Sequence, residues 1–151
     1  MKDNLNISYP ATIAEEKQND GTVCYVVSFR DLEGCNTYGD NYEEAKAMAK
    51  EALDLLLECM LADNDEIPAP SVRKKTEIAI YPSPKIAVPL LLKLAREEQN
   101  KTITNIASLL DVPYQNYQML EKGKRKNVTI STLTKAFNAL GYEAEIVLHK
   151  M

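Results

Sequence analysis

Two proline-bearing interruptions divide this chain and limit what it can fold into. Residues Asp63–Ser71 read DNDEIPAPS, and a second break follows at Pro82-Ser83-Pro84. No regular helix continues through either, because proline lacks the amide donor and its ring clashes with the preceding turn. Charge also changes near the first break: residues 1–70 hold 15 acids and 5 bases, net -10, whereas residues 71–151 hold 7 acids and 13 bases, net +6. The formal net charge of -4 conceals this division. A chain of 151 residues suffices for one medium domain or two small ones. The asymmetry favours two, an acid-rich module followed by one suited to a polyanion. We place the first at residues 1–82 and the second at 86–151, with 82–85 as linker.

Several classes of function find no support. The longest apolar stretch, Ile86 to Leu92, contains Pro89 and is far shorter than the ~18 residues of a membrane span. The opening MKDNLNISYP lacks the apolar segment of a signal peptide, so a soluble, cytoplasmic protein is expected. Cys24, Cys35 and Cys59 show no C-x-x-C spacing, and His149 is the sole histidine. Neither a disulfide framework nor a zinc site is therefore indicated, and the thiols are expected to be buried or half-buried. Gly34 and Gly39 have the outer spacing of a phosphate loop, but Asp40 stands where the phosphate-binding lysine is required. We expect no cofactor.

In the first module, Ser8 to Ala14 and Val23 to Phe29 are β-like and flank Asp20-Gly21, which predicts an antiparallel hairpin. A third strand is expected at Cys35 to Tyr38. Asp40 precedes Glu43 by three residues, a spacing that can cap a helix running from Asn41 to about Leu61. Its apolar stripe comprises Ala45, Ala49, Ala52, Leu53, Leu56, Leu57 and Met60. Glu77 to Tyr81 predicts a last strand, making the order β-β-β-α-β. The acidic alternative, Asp31 and Asp40 as metal ligands of a nuclease, is weak because one is an ordinary turn residue and the other has a capping role.

The residues Tyr9-Pro10-Ala11, Tyr25-Val26-Val27-Ser28-Phe29, Asp31-Leu32, Gly34-Cys35, Thr37, Gly39-Asp40, Glu43-Glu44-Ala45 and Ile67-Pro68-Ala69-Pro70-Ser71 resemble the N-terminal domain of HicB antitoxins. Arg30 and Glu33 stand where that family commonly has prolines. The resemblance implies a partial RNase H-like domain that masks a HicA-like mRNA-cleaving ribonuclease. Residues that touch the toxin are not identifiable from it.

The second module reads as all-α. Val88, Leu91, Leu92 and Ala95 form a helical face, and Thr102 or Thr104 can cap a short helix bearing Ile106, Ala107, Leu109 and Leu110. Asp111-Val112 supplies a tight turn, and Pro113 suits the start of a helix over Tyr114 to Glu121, ended by Gly123. A fourth helix starts near Thr129 to Ser131 and buries Leu133, Ala136, Phe137 and Leu140. Glu143 to Leu148 (EAEIVL) predicts a final strand, which either joins a second copy or folds back within one chain.

Two short helices joined by a tight turn form the arrangement that sets a helix in the DNA major groove. Ile106-Ala107, Leu109-Leu110, Val112, Gln115, Leu120-Glu121-Lys122-Gly123-Lys124-Arg125, Leu133, Ala136 and Leu140-Gly141 resemble the XRE/Cro type of helix-turn-helix domain. The resemblance implies that Tyr114, Gln115, Asn116 and Met119 face base edges and that Lys122, Lys124, Arg125 and Lys126 lie near phosphates. Thr104 completes the candidate DNA-binding set. Gln115 and Asn116 have the donor and acceptor pair that reads adenine, whereas Tyr117 and Leu120 are expected in the core.

These readings imply an antitoxin that blocks a HicA-like ribonuclease and represses its own operon by binding double-stranded operator DNA. A homodimer or higher even oligomer is expected. The alternative is a transcriptional repressor responsive to a ligand or another protein, with a divergent nuclease third.

Overall fold

The computed structural model describes residues 4–5 and 7–150, which form two compact units, one within Asn6–Ala87 and the other chiefly within Val88–Met151. The first holds strands β1 (Tyr9–Lys17), β2 (Val23–Phe29) and β3 (Asn36–Gly39), helix α1 (Tyr42–Asp63) and strand β4 (Ile78–Ile80). This is the order expected. The antiparallel sheet runs β3-β2-β1-β4, with Ala11 opposite Phe29, Val27 opposite Thr37 and Tyr9 opposite Ile80.

β1 continues to Lys17, three residues beyond its apolar run, because the hairpin ladder persists to the pair Lys17 and Val23. The turn is closed by the Gln18 amide donating to the Thr22 carbonyl at 2.7 Å and by Thr22 donating its amide and hydroxyl to Asp20. Alternation buries Tyr9 and Ala11 on β1 and Val27 and Phe29 on β2. α1 lies against this sheet and buries Ala45, Ala49, Leu53, Leu57 and Leu61. Ala52, Leu56 and Met60 from the expected stripe are only half-buried.

The cap of α1 differs by one residue from the expected D-x-x-E pair. Asn41 is the N-cap, accepting the Glu44 amide at 2.9 Å, while the Glu44 carboxylate accepts the Asp40 amide at 2.8 Å. β3 also approaches the helix closely. A Cβ on Gly39 would meet the Ala45 amide nitrogen and come within 2.8 Å of Ala45 Cα, so only glycine fits there.

The irregular segment between α1 and β4 is fastened rather than loose. Tyr9 Oη donates to the Pro68 carbonyl at 2.9 Å, and Ser71 donates its amide and hydroxyl to Asp31 at 2.7 and 2.6 Å. Arg30, at one of the positions departing from the family's prolines, reaches the Val72 carbonyl and makes a two-pronged pair with the buried Glu77 at 2.8 and 3.1 Å. Glu77 also accepts the Lys74 amide at 2.7 Å. The Arg30 guanidinium, helped by the Lys74 amide, lowers the Glu77 pKa from 4.5 to about 2. Asp31, one of the imagined metal ligands, thus has both carboxylate oxygens engaged by Ser71.

The second unit is all-helical among the described residues. It holds α2 (Pro84–Glu98, whose first turn belongs to the first unit), α3 (Ile103–Leu109), α4 (Tyr114–Glu121) and α5 (Ile130–Ala139). α2 therefore opens inside the stretch read as linker, as proline at a first helical turn allows. Leu92, Ala95, Ile106, Ala107, Tyr117, Leu120, Ala136, Phe137 and Leu140 form the core. The expected final strand is absent: residues 143–150 adopt no helix or strand, and Ile146, Val147 and Leu148 are exposed. A strand needs a ladder partner, and the described residues of this unit supply none. Cys24 and Cys35 are buried, whereas Cys59 is exposed on α1.

Two outcomes test this unit-by-unit reading. Gly39→Ala should destabilise the first unit by about 1–3 kcal/mol in denaturant unfolding, because the obstructing atoms are backbone. A carboxylate whose folded pKa is depressed contributes stability above its unfolded value and loses it as pH falls. The first unit should therefore weaken from about pH 4.5 toward 2, and Glu77→Gln should flatten that part of its pH–stability curve.

Candidate nucleic-acid interface

α3 has seven residues and α4 has eight, too short for either to persist alone in water. Their geometry must be imposed by capping and packing. Thr102, rather than Thr104, caps α3: its hydroxyl accepts the Asn105 amide at 3.1 Å while the Asn105 side chain accepts the Thr102 amide at 2.9 Å. Thr104 lies exposed on the first turn. Asp111 takes a left-handed φ of 54°, and Val112 donates its amide to the Ala107 carbonyl at 3.0 Å, which folds the chain sharply between the helices. Pro113 occupies the N-cap of α4 without a side-chain cap bond.

α4 is two-sided. Tyr117, Leu120 and Glu121 are buried, whereas Tyr114, Gln115, Asn116 and Met119 are exposed. Gly123 then adopts φ 66°, allowing Lys124 to donate its amide to the Met119 carbonyl at 3.0 Å and stop the helix. Beyond it Lys124, Arg125 and Lys126 are exposed, and Lys122 is half-buried. The candidate residues on α4 and in the loop after it thus stand on one short, continuous length of chain with their polar atoms available. The exposed Leu109 at the end of α3, read as part of an apolar set, does not enter the core.

An ion pair missed in the sequence holds the inner face of α4. Arg96 on α2 donates Nε and Nη2 to Glu121 at 2.6 and 2.9 Å, and Nη1 to the Lys101 carbonyl at 2.9 Å. The side chains are only 12% and 5% exposed. The Glu121 partnership raises the Arg96 pKa despite burial. Near them lies Tyr117, whose hydroxyl is buried without a well-formed hydrogen bond among the described residues. Burial first, then the Glu121 carboxylate, push its ionisation far above the usual phenol range. One signal was available: Glu121 stands four residues after Tyr117 on the same helix, so it shares that residue's inward face and needs a cation there.

Counting charge by compact unit refines the contrast seen along the chain. Residues 6–87 carry 15 acids and 8 bases, net -7, and residues 88–151 carry 6 acids and 9 bases, net +3. The difference from the first count comes from Arg73, Lys74, Lys75, Lys85 and Glu77, which belong with the sheet. Since Arg96 is neutralised by Glu121, the cationic surface of the helical unit depends heavily on Lys124, Arg125 and Lys126.

The fold of the second unit and its outward polar helix define a DNA-binding protein of the helix-turn-helix class. Residues 92–147 match the family model described as "Helix-turn-helix", and residues 8–95 match "HicB_like antitoxin of bacterial toxin-antitoxin system". "Antitoxin HicB 2" of Photorhabdus laumondii subsp. laumondii is 30% identical over 142 residues, covering 94% of this chain and 96% of the relative. "Antitoxin HicB 1" of the same organism is 30% identical over 138 residues, covering 91% and 84%. A Haemophilus phage HP1 protein, "Uncharacterized 14.9 kDa protein in rep-hol intergenic region", is 48% identical over 60 residues, covering 40% and 41%. The chain belongs to the HicB-like antitoxin family. No helix among the described residues is long and apolar enough to cross a membrane.

Removing one member of the buried pair should be costly. Glu121→Ala is expected to lower the stability of the helical unit by about 3–5 kcal/mol, because it strands the Arg96 charge in the core. Double replacement by Arg96→Met and Glu121→Leu should recover most of that loss in thermal unfolding. A Glu121→Ala protein as stable as the parent would show that α4 is held by its apolar contacts alone.

Proposed function

We propose that this protein is the antitoxin of a type II toxin-antitoxin pair. It inhibits a HicA-like mRNA-cleaving ribonuclease stoichiometrically through its first unit and represses its own operon through its second. The observation that carries the DNA half is the outward row Tyr114, Gln115, Asn116 and Met119 on a helix pinned from behind by Arg96–Glu121. Gln115 and Asn116 offer donor and acceptor groups for adenine edges, while Lys122, Lys124, Arg125 and Lys126 meet phosphates, as does Thr104, exposed on the first turn of α3. Operator binding by a two-fold dimer doubles each contact.

The inhibitory half is supported by family membership and by charge. An RNA-cleaving enzyme must present cationic surface to its substrate, and a unit of net charge -7 attracts it over about a Debye length of ~8 Å. Charge of this kind accelerates encounter, and short-range contacts set the docked pose. Inhibition and repression by occlusion need no cofactor, and both take place in the cytoplasm.

Co-expression tests the first half. The product of the adjacent small reading frame should arrest growth, and the full-length protein should restore it and co-purify with that product. Retained promoter binding without rescue or co-purification would instead establish a repressor with no toxin partner. For the second half, four cations in each of two protomers predict a slope of log affinity against log salt of about -7. Lys124→Ala should flatten it by about 2 units, from roughly 0.9 per contact in each protomer, without altering sequence preference. Gln115→Ala should lose ~1–3 kcal/mol on the operator and little on random DNA. Equal losses on both would remove Gln115 from base reading.

A further inference from the structure

Helix α1 carries a second apolar stripe that the sheet does not use. Its inner face, Ala45, Ala49, Leu53, Leu57 and Leu61, is buried against the strands. On the outer side Met48, Ala52, Leu55, Cys59 and Ala62 follow one another at alternating steps of four and three, the spacing of a coiled-coil seam. Leu55 is 64% and Met48 37% exposed, Cys59 is exposed, and Ala52 and Ala62 are half-buried. The outward side of a surface helix is ordinarily polar, so a seam centred on a leucine in water marks a contact surface rather than core. Along one border of the seam run Glu44, Glu51 and Glu58, each seven residues from the next and all exposed. Glu58 is 3.7 Å from Lys85, but both side chains are more than half exposed, so its charge stays in contact with water. The other border turns toward the sheet through the half-buried Leu56.

We propose that this outer face of α1 is the surface on which the cationic ribonuclease docks, with Leu55 as the apolar anchor and Glu51 and Glu58 as the charged rim. The identity of the partner rests on the inhibitory reading given above; the surface is the new element. Charge chooses between this occupant and a second copy of the chain. Two copies packed antiparallel along the seam bring Glu51 of one against Glu58 of the other, twice, and like charges so placed are destabilising. Packed in parallel, each Glu51 lies beside Leu56 of the other copy, where its carboxylate loses water and gains no cation. A nucleic acid is repelled by the same row of carboxylates. A protein surface with Lys or Arg around an apolar patch satisfies both features at once, since the rim carboxylates gain partners while the seam is dehydrated. An enzyme that grips RNA displays cations of this kind.

The native full-length protein supplies the first test, because Cys59 lies on the seam whereas Cys24 and Cys35 are buried. Binding of the product of the adjacent small reading frame should slow alkylation of Cys59 by a maleimide about tenfold or more, read on this chain by mass spectrometry. Leu55→Lys should weaken binding of that product about thirtyfold or more, mainly through faster dissociation, with thermal unfolding and operator affinity as in the parent. Glu51→Lys should slow association and flatten its salt dependence. Val72, 91% exposed elsewhere in the unit, is the control, and Val72→Lys should bind as the parent does. The proposal is overturned by unslowed alkylation of Cys59 in the complex, by a folded Leu55→Lys protein that binds within about threefold of the parent, or by Val72→Lys losing as much as Leu55→Lys. A Leu55→Lys protein of lower oligomeric mass and unchanged affinity for the product would overturn it in favour of a second copy on the seam. A parent that does not bind the product removes the inhibitory reading and this surface together. A parent that binds, with Leu55→Lys and Glu51→Lys behaving alike, removes the surface alone.

Discussion

The helical unit depends on one buried ion pair. Arg96 and Glu121 meet through two hydrogen bonds in a place where each alone would be an uncompensated charge, so the pair tolerates little displacement. Its value is positional more than energetic, because a well-packed apolar pair of the same volume can be as stable. It clamps the last residue of α4 to α2, and the third guanidinium nitrogen ties the Lys101 carbonyl ahead of α3. Two helices too short to survive in isolation thereby acquire a defined spacing. The outward residues of α4 are consequently presented from a rigid backing instead of from a fraying turn.

The sheet unit uses the same chemistry for a different end. Arg30 and Glu77 join the bend after β2 to the segment before β4, and Tyr9 and Asp31 tie down Pro68 and Ser71. A stretch with two prolines and no ladder would otherwise lack partners for its backbone groups. Here side chains supply them, which explains how an irregular segment can be a structural part of the domain. Placing Arg73, Lys74 and Lys75 in this unit also softens the charge contrast between the modules without reversing it.

Most elements were legible from periodicity. β2 coincides with its apolar run Val23 to Phe29, α4 with Tyr114 to Glu121, and the β-β-β-α-β order with the positions of its turn residues. Sequence left a choice, or chose the wrong residue, where a local rule had two acceptable solutions. Asp40 and Asn41 can both cap α1, and Asn41 is the one whose side chain accepts the Glu44 amide. Thr102 and Thr104 can both cap α3, and Asn105 completed the reciprocal bond only for Thr102. The terminal EAEIVL run has strand composition, yet composition supplies no ladder partner.

Sequence alone determined the two-part organisation, the opposite sign of its parts, the amphipathic faces and the residue types on the outward face of α4. Each follows from spacing or from charge, which survive without knowledge of neighbours. Tertiary structure alone decided that Glu121 faces Arg96 across 25 positions, that Asp31 holds Ser71 across 40, and that the terminal apolar run stays exposed. Those outcomes depend on which distant groups meet when water is excluded, and burial makes an unpaired charge or amide too costly to leave alone.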